Sequence, residues 1–219
     1  SSPSRGLGDV YKRQGLECRT HRSSFSVGSD SKKLRIISVG RLVSKKGYFL
    51  MLEIARKLRD RKVSFELSII GSGPLRRELQ GEIKRKKLQS YVFLLGTKHE
   101  SQVRKDFLAS DVMLFTGIVD SNGDRDGIPN VVPEAMEAGC LVLSSCFAGG
   151  SEAFIDGVSG FSFDPHDSEK WVDLLEKFAN SPADFLAIRK RAINHARRFF
   201  NVDKTCLLYT SDAADDIPR

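Results

Sequence analysis

The 219-residue chain contains no run close to the roughly 18 apolar residues that a membrane-spanning helix needs. Its first residues do not follow the basic-then-apolar order of a secretion leader. Cysteine is scarce. Cys18, Cys140, Cys146 and Cys206 form no C-x-x-C pair and no metal-ligand spacing with the four histidines, so neither a disulfide scaffold nor a zinc ribbon is expected. A reduced cytoplasm is the expected setting, including the inner face of the membrane. The chain also lacks the glycine-lysine order of a P-loop, and its first strand is not followed by G-x-G-x-x-G, which argues against a nicotinamide dehydrogenase. No internal repeat and no biased tract is present.

What the chain does have is an ordinary globular balance, 40% hydrophobic and 29% charged, enough to bury a core. Its net charge is +7. Such an excess favours phosphate-rich ligands, nucleic acid or an anionic membrane face. The cations cluster in helical stretches such as Lys84-Arg85-Lys86-Lys87 and Arg189-Lys190-Arg191, without interleaved aromatics. Solvated helix faces are the ordinary expectation there and peripheral contact with an anionic membrane the second; nucleic acid is not expected.

The two ends do not fit the rest. Residues 1–14 show no amphipathic period, and residues 206–219 do not continue the helical pattern before them; both resemble translated sequencing-adaptor read-through. They are set aside from fold reasoning, and residues 15–33 are taken as a linker remnant.

From residue 34 onward, short apolar strands alternate with longer helical patterns. Strands are predicted over 34–39, 65–70, 91–95, 111–115, 141–144 and 160–163. Helices are predicted over 49–58, 75–87, 101–110, 131–138, 168–180 and 182–200. Asn130 is predicted to cap the helix beginning at Val131, with Pro133 in its first turn and Gly139 at its end. Nearly continuous apolar strands imply a parallel sheet covered on both faces, an α/β, doubly wound, Rossmann-like domain. Trp171 and the phenylalanines between 178 and 200 are expected to pack helices. Cys140 and Cys146 read as small buried hydrophobes, His99 and His166 as loop residues, and His21 and His195 as surface or packing residues.

Ligands of such sheets bind beyond the carboxyl ends of the strands. Three loops there have suitable chemistry. Gly40-Arg41-Leu42-Val43-Ser44-Lys45-Lys46-Gly47 combines close backbone approach with cations that could face a phosphate. Gly71-Ser72-Gly73-Pro74 reads, alone, as a turn. In Asp126-Gly127-Ile128-Pro129-Asn130-Val131-Val132-Pro133-Glu134, two carboxylates eight positions apart could accept hydrogen bonds from separate hydroxyl sets. The helix start adds N–H groups that suit an anion. An ordinary loop Asp and a helix-dipole Glu are the alternative.

Together, these loops resemble the donor domain of family 4 glycosyltransferases, enzymes of GT-B fold. The landmarks are Val39 to Val43 with Lys46-Gly47, Ile70 to Pro74, Ala109 to Val112, Asp126 to Val132, Glu134 to Gly139 and Glu152 to Phe161, in order across roughly residues 34–200. The Asp-Gly-Ile-Pro-Asn variant is similar to bacterial members that build exopolysaccharide or surface polysaccharide. The resemblance implies that residues 34–205 form the C-terminal, nucleotide-sugar-binding half, with the N-terminal acceptor half absent and the fragment inactive alone. It implies retaining hexosyl transfer from a nucleotide-diphosphate sugar to a glycan or lipid-linked acceptor, with no cofactor and no metal.

Roles carry over position by position. Gly40 would lie at the phosphates, and Arg41 and Lys46 would hold the diphosphate and stabilise it as it leaves. Asp126 would contact the transferred sugar and Glu134 the ribose hydroxyls. Gly127, Ile128, Asn130 and Val131 would present backbone to the sugar, and Gly71 and Gly73 would lie near the nucleotide. Two positions depart from the family. Asp126 replaces a Glu and reaches about 1.3 Å less. Gly150-Ser151 replaces an aliphatic-Pro pair, which predicts a looser loop. Other GT-B enzymes, an epimerase or a phosphorylase, fit the loops less well. A catalytically silent nucleotide-sugar-binding or scaffold subunit would share the binding residues without turnover.

Overall fold

A computed structural model describes residues 33–200, except 121, 122, 126 and 148. The segments 1–14 and 206–219, and nearly all of the linker remnant, lie outside the described residues. Six strands form one sheet: β1 (Leu34–Val39), β2 (Phe65–Ile70), β3 (Val92–Gly96), β4 (Val112–Phe115), β5 (Leu141–Ser145) and β6 (Phe161–Phe163). Their spatial order is β3-β2-β1-β4-β5-β6, and every pairing is parallel. Parallel neighbours need crossover connections, and helices supply them: α1 (Tyr48–Asp60), α2 (Arg76–Arg85), α3 (Glu100–Ala109) and α4 (Val131–Glu137). Two more, α5 (Ser168–Asn180) and α6 (Leu186–Phe199), close the domain.

Adjacent residues of one strand serve opposite faces. In β1, Ile36 joins a cluster with Leu52, Leu58, Leu79, Trp171 and Leu175, beneath α1, α2 and α5. Its neighbour Ile37 joins Val103, Phe107, Met136, Ala192 and Ala196, beneath α3, α4 and α6. A sheet apolar on both faces must be covered on both, which is the doubly wound architecture the strand composition implies. The order reverses between β1 and β4. Loops leaving those two strands run to opposite faces and leave a crevice between them.

The structure departs from several local expectations. Asn130 does not cap α4. Its backbone is already helical (φ −57°, ψ −29°), and its side chain makes no cap hydrogen bond. The turn starts earlier, where the Pro129 carbonyl accepts from the Val132 amide at 2.9 Å. The stretch 182–200 divides into a 3-10 turn, Pro182–Phe185, followed by α6. Cys140 is buried, but Cys146, which follows the end of β5 and donates its amide to Phe163 O, is exposed. Trp171, Phe178 and Phe185 are core residues, whereas Phe199 is 60% exposed. Arg189 is no solvated cation: it is buried, and its Nε donates to Gly139 O at 2.6 Å, tying α6 to the end of α4. His99 caps α3 by accepting from the Ser101 amide.

Candidate active site at the sheet reversal

The loop after β1 is held from beneath and from both sides. Leu42, a landmark of the sequence pattern, is its anchor: fully buried, it donates its amide to Ser72 O (2.8 Å) and accepts from Leu75 N (3.1 Å). The loops after β1 and β2 are thereby sewn together. Gly71 permits the contact. Its φ is 140°, and a Cβ there would stand 2.0 Å from Gly40 O. Gly73 packs on the Leu42 backbone in the same way. The Gly71–Pro74 turn is therefore a built wall of the site. The Gly40 carbonyl accepts from the buried Tyr48 hydroxyl at 3.0 Å.

On the other side, the β1 loop meets the loop after β4 across the reversal. Gly47 has φ 66°, and a Cβ there would stand 2.0 Å from Thr116 O. The Thr116 hydroxyl reaches Gly47 O at 3.0 Å and Lys46 O at 3.2 Å. Ile118 N donates to Lys45 O, Ser44 donates to Asp120 at 2.5 Å, and Lys45 pairs with Asp124 at 3.0 Å. Backbone and ion pairs thus fix Ser44 to Gly47 in a 3-10 turn, Ser44–Lys46, before α1 begins.

Lys46 runs inward. Its Cε lies 3.5 Å from the place a Gly40 Cβ would occupy, and its ammonium is 5.1 Å from the centre of the Phe115 ring. An ammonium over an aromatic face is attracted by the ring quadrupole, by about 0.5–2 kcal/mol according to desolvation. Phe115 closes β4 and also packs against Gly150. Gly149 lies against the Gly127 carbonyl group and the Ile128 amide, where a Cβ would be 2.4 Å from Gly127 C. The region around Gly150-Ser151 is therefore not a looser loop. It is a 3-10 turn, Gly149–Ala153, in which both glycines are buried, because bare backbone lets the loops after β4 and β5 touch.

These contacts place Gly40, Lys46, Gly71 and Gly73 together at one side of the crevice. Gly127 and Ile128 stand at the other, bridged by Phe115 and the Gly149–Ala153 turn. Arg41, exposed, projects from the first loop; Asn130 is exposed and Val131 half-buried at the entry to α4. Asp126 lies outside the described residues. Glu134 sits in the first turn of α4, half-buried, with α3 as its neighbour. Burial pushes its carboxyl up to about 7; Glu100 on α3 adds to the shift, Arg104 opposes it and Glu137 adds to it. Among the described residues no three His, Cys, Asp or Glu side chains gather as a metal-ligand set.

Tyr48, Phe115 and Thr116 escape sequence analysis because each acts across the sheet on a loop that pattern alone does not bring near. The one available signal is polar: a Tyr directly after Gly47 and a Thr ending an apolar strand both carry hydroxyls that burial obliges to bond.

A doubly wound parallel domain with glycine-rich loops gathered at its strand-order reversal defines the class. Within it, residues 20–199 match the family described as Glycosyl transferases group 1, and the chain belongs to that family. It is 32% identical over 193 residues to the colanic acid biosynthesis glycosyltransferase WcaL of Escherichia coli K12, covering 88% of this chain and 47% of that protein. The chain thus spans about half the length of the curated relatives it matches. Among solved structures, the Anabaena protein Alr3699/HepE in complex with UDP and glucose aligns with TM-score 0.69 at 18% identity, over 84% of this chain and 49% of that one. The C-terminal domain of the group 1 protein LpcC from Francisella tularensis aligns with TM-score 0.65 at 18% identity, over 76% of this chain and 86% of that domain. These two likenesses establish the GT-B-type Rossmann-like fold.

Proposed function

We propose that residues 34–205 are the donor-binding half of a retaining, metal-independent family 4 glycosyltransferase of bacterial polysaccharide synthesis. The observation that carries this is the crevice at the strand reversal. There Lys46 lies inward across Gly40, on a loop fixed by Leu42, Gly71 and Thr116, opposite the backbone of Gly127 and Ile128. A nucleotide-diphosphate sugar fits this chemistry. Arg41 and Lys46 take the diphosphate, Asp126 and the 127–131 backbone take the sugar, and Glu134 takes ribose hydroxyls. UDP bound to the Anabaena protein and the polysaccharide role of WcaL support the same substrate class and pathway type. In the reaction the bond from the anomeric carbon to the diphosphate oxygen breaks. Charge gathers on that oxygen, and fixed cations stabilise it there. The acceptor hydroxyl attacks the same face, and its proton leaves to the departing phosphate. The acceptor, a glycan or lipid-linked sugar, is held by a half outside this chain.

Screening UDP, GDP and ADP sugars by thermal shift tests the proposal. Ligand at a hundredfold excess over Kd stabilises by about 2.7 kcal/mol, a rise on the order of 5–10 °C for a domain this size. The parent nucleosides, which keep the ribose but lack the diphosphate, should give a much smaller shift. Equal shifts with nucleoside and nucleotide sugar would overturn the diphosphate role.

Glu134 gives a pH signature. The folded chain keeps this carboxyl protonated to about pH 7, whereas its ordinary value is 4.5. Its stabilising contribution is therefore complete below pH 4.5 and is lost as pH rises to 7. Glu134→Gln, neutral throughout, should match the wild type near pH 4.5 and exceed it by about 1–3 kcal/mol at pH 8, read by urea unfolding. A stability difference that does not change with pH would show that Glu134 is ionised in the fold. Ribose hydroxyls bond best to the carboxylate, so nucleotide binding near pH 7 should also release a proton, and Glu134→Gln should abolish that release.

A further inference from the structure

The cations that follow β1 have different partners. Lys45 Nζ lies 3.0 Å from Asp124 Oδ2 on the loop after β4, whereas the neighbouring Lys46 ammonium stands over the Phe115 ring. Ser44 Oγ donates to Asp120 Oδ2 on the same loop at 2.5 Å. The two aspartates are held to each other through backbone: Asp120 N donates to Asp124 O at 2.7 Å, and Gly123 N donates to Asp120 O at 2.8 Å. The turn so closed presents two carboxylates to two adjacent residues of the β1 loop, and Ile118 N donates to Lys45 O at 2.8 Å beside them.

The two sides of this interlock have different supports. On the phosphate side, the Thr116 hydroxyl reaches Gly47 O and Lys46 O, and Leu42 is bonded to Ser72 and Leu75, holds that do not depend on Asp120 or Asp124. On the sugar side, Asp124 precedes Gly127 by three positions. Strand β4 lies between β1 and β5, so its loop has a flank on each neighbour's loop. Gly149 packs on the Gly127–Ile128 backbone from the β5 flank; Ser44 and Lys45 hold the loop from the β1 flank. Each of these side-chain bonds is weak alone. The Lys45 and Asp124 side chains are 29% and 51% exposed, and such a pair changes an equilibrium about fivefold or less. Bonds made to one turn are coupled, so the full effect appears only when both are removed.

We propose that Ser44 and Lys45 are positioning residues that clasp the loop after β4 and fix the Gly127–Ile128 backbone at the distance from Lys46 that a sugar diphosphate spans. The role rests on the crevice being the donor site. Lys45 then differs from Lys46 beside it: Lys46 meets the diphosphate, whereas Lys45 holds the loop that meets the sugar. The clasp sets the affinity gained from the sugar and leaves that gained from the diphosphate.

Two readouts on the 219-residue chain test the clasp. Without ligand, trypsin cleavage after Arg125, an exposed residue of the loop, follows the fraction of molecules in which the loop has come away, and mass spectrometry identifies the fragment. Ser44→Ala with Lys45→Gln should raise that rate about fivefold to tenfold, and Lys45→Arg should leave it within about twofold. With ligand, calorimetry on UDP and UDP-glucose, GDP and GDP-mannose, and ADP and ADP-glucose gives, for the base that binds, the ratio of sugar-nucleotide to diphosphate affinity. In the double variant this ratio should fall about tenfold, while diphosphate affinity stays within about twofold. Salt should lower the wild-type ratio toward that of Lys45→Gln, because an exposed pair is screened. Lys45→Glu with Asp124→Lys should restore both readouts, and unchanged melting temperatures show that the variants are folded. Unchanged cleavage in the double variant, or an unchanged ratio, would overturn the clasp while wild-type nucleotide binding left the donor reading standing. Equal losses of diphosphate and sugar nucleotide would refute the sugar-side role. Faster cleavage in the variant beside a wild type that binds none of the six nucleotides would defeat the donor reading, and the positioning role with it.

Discussion

Replacing Lys46 with alanine should weaken binding of a nucleotide diphosphate ten- to a hundredfold, which is about 1.5–3 kcal/mol for one charge-assisted hydrogen bond in a partly buried site. Arg41→Ala should lose a comparable amount. The two need not behave alike with salt. Arg41 is exposed on the loop, so its contribution is screened as ionic strength rises. Lys46 is half-buried, with its stem across Gly40 and its ammonium at the Phe115 ring, so its contribution should persist. Calorimetry with UDP, GDP or ADP at low and high salt separates the two. Unchanged affinity in both variants would remove the phosphate role from this loop, and with it the donor assignment. A loss confined to Arg41 would instead mean that the Lys46 ammonium stays with Phe115 when ligand binds. If binding follows the prediction and the chain, joined to an acceptor-binding half, transfers no sugar, the silent-subunit alternative gains the ground.

The layered fold was legible in the chain because parallel strands buried on both faces leave a trace: 112–115 is wholly apolar, and 34–39 and 65–70 are short apolar-rich segments with two polar residues each, all set between helical periods. The loops of the site were legible for a related reason, since glycine and clustered cations at strand ends are costly to keep for packing alone. What stayed hidden was relation. Leu42 looks like any loop leucine until the Ser72 and Leu75 bonds are seen. Thr116 and Gly47 stand 69 positions apart yet meet at hydrogen-bond distance. Gly150-Ser151 suggested slack because a missing side chain normally frees the backbone; here Gly127 and Phe115 fill the space instead. Asn130 failed as a cap for a local reason, the turn having begun at Pro129. Arg189 shows the same limit from the opposite side, a basic residue in a basic run whose guanidinium is buried against Gly139.

Two glycine-to-alanine substitutions should move stability in opposite directions. Gly71 has φ 140°, and its added methyl would stand 2.0 Å from the Gly40 carbonyl oxygen, a backbone atom that Tyr48 also holds. Alanine there combines a disfavoured dihedral with a backbone clash, and should cost about 3 kcal/mol, a fall on the order of 6–12 °C in Tm. The β1 and β2 loops must part for the methyl to fit, so Leu42 loses its bonds and Lys46 its platform. Nucleotide affinity should therefore fall even in the fraction that remains folded. Gly81 lies within α2 with nothing within 4 Å of an added Cβ. Alanine at that position should raise stability by about 0.5–1 kcal/mol, because it lowers the entropy of the unfolded chain and suits a helix, and it should leave nucleotide affinity unchanged. Thermal melts with calorimetry on both variants decide the matter. A Gly71→Ala protein with wild-type stability and affinity would show that the two loops do not pack as described, and the wall of the crevice would lose its physical basis.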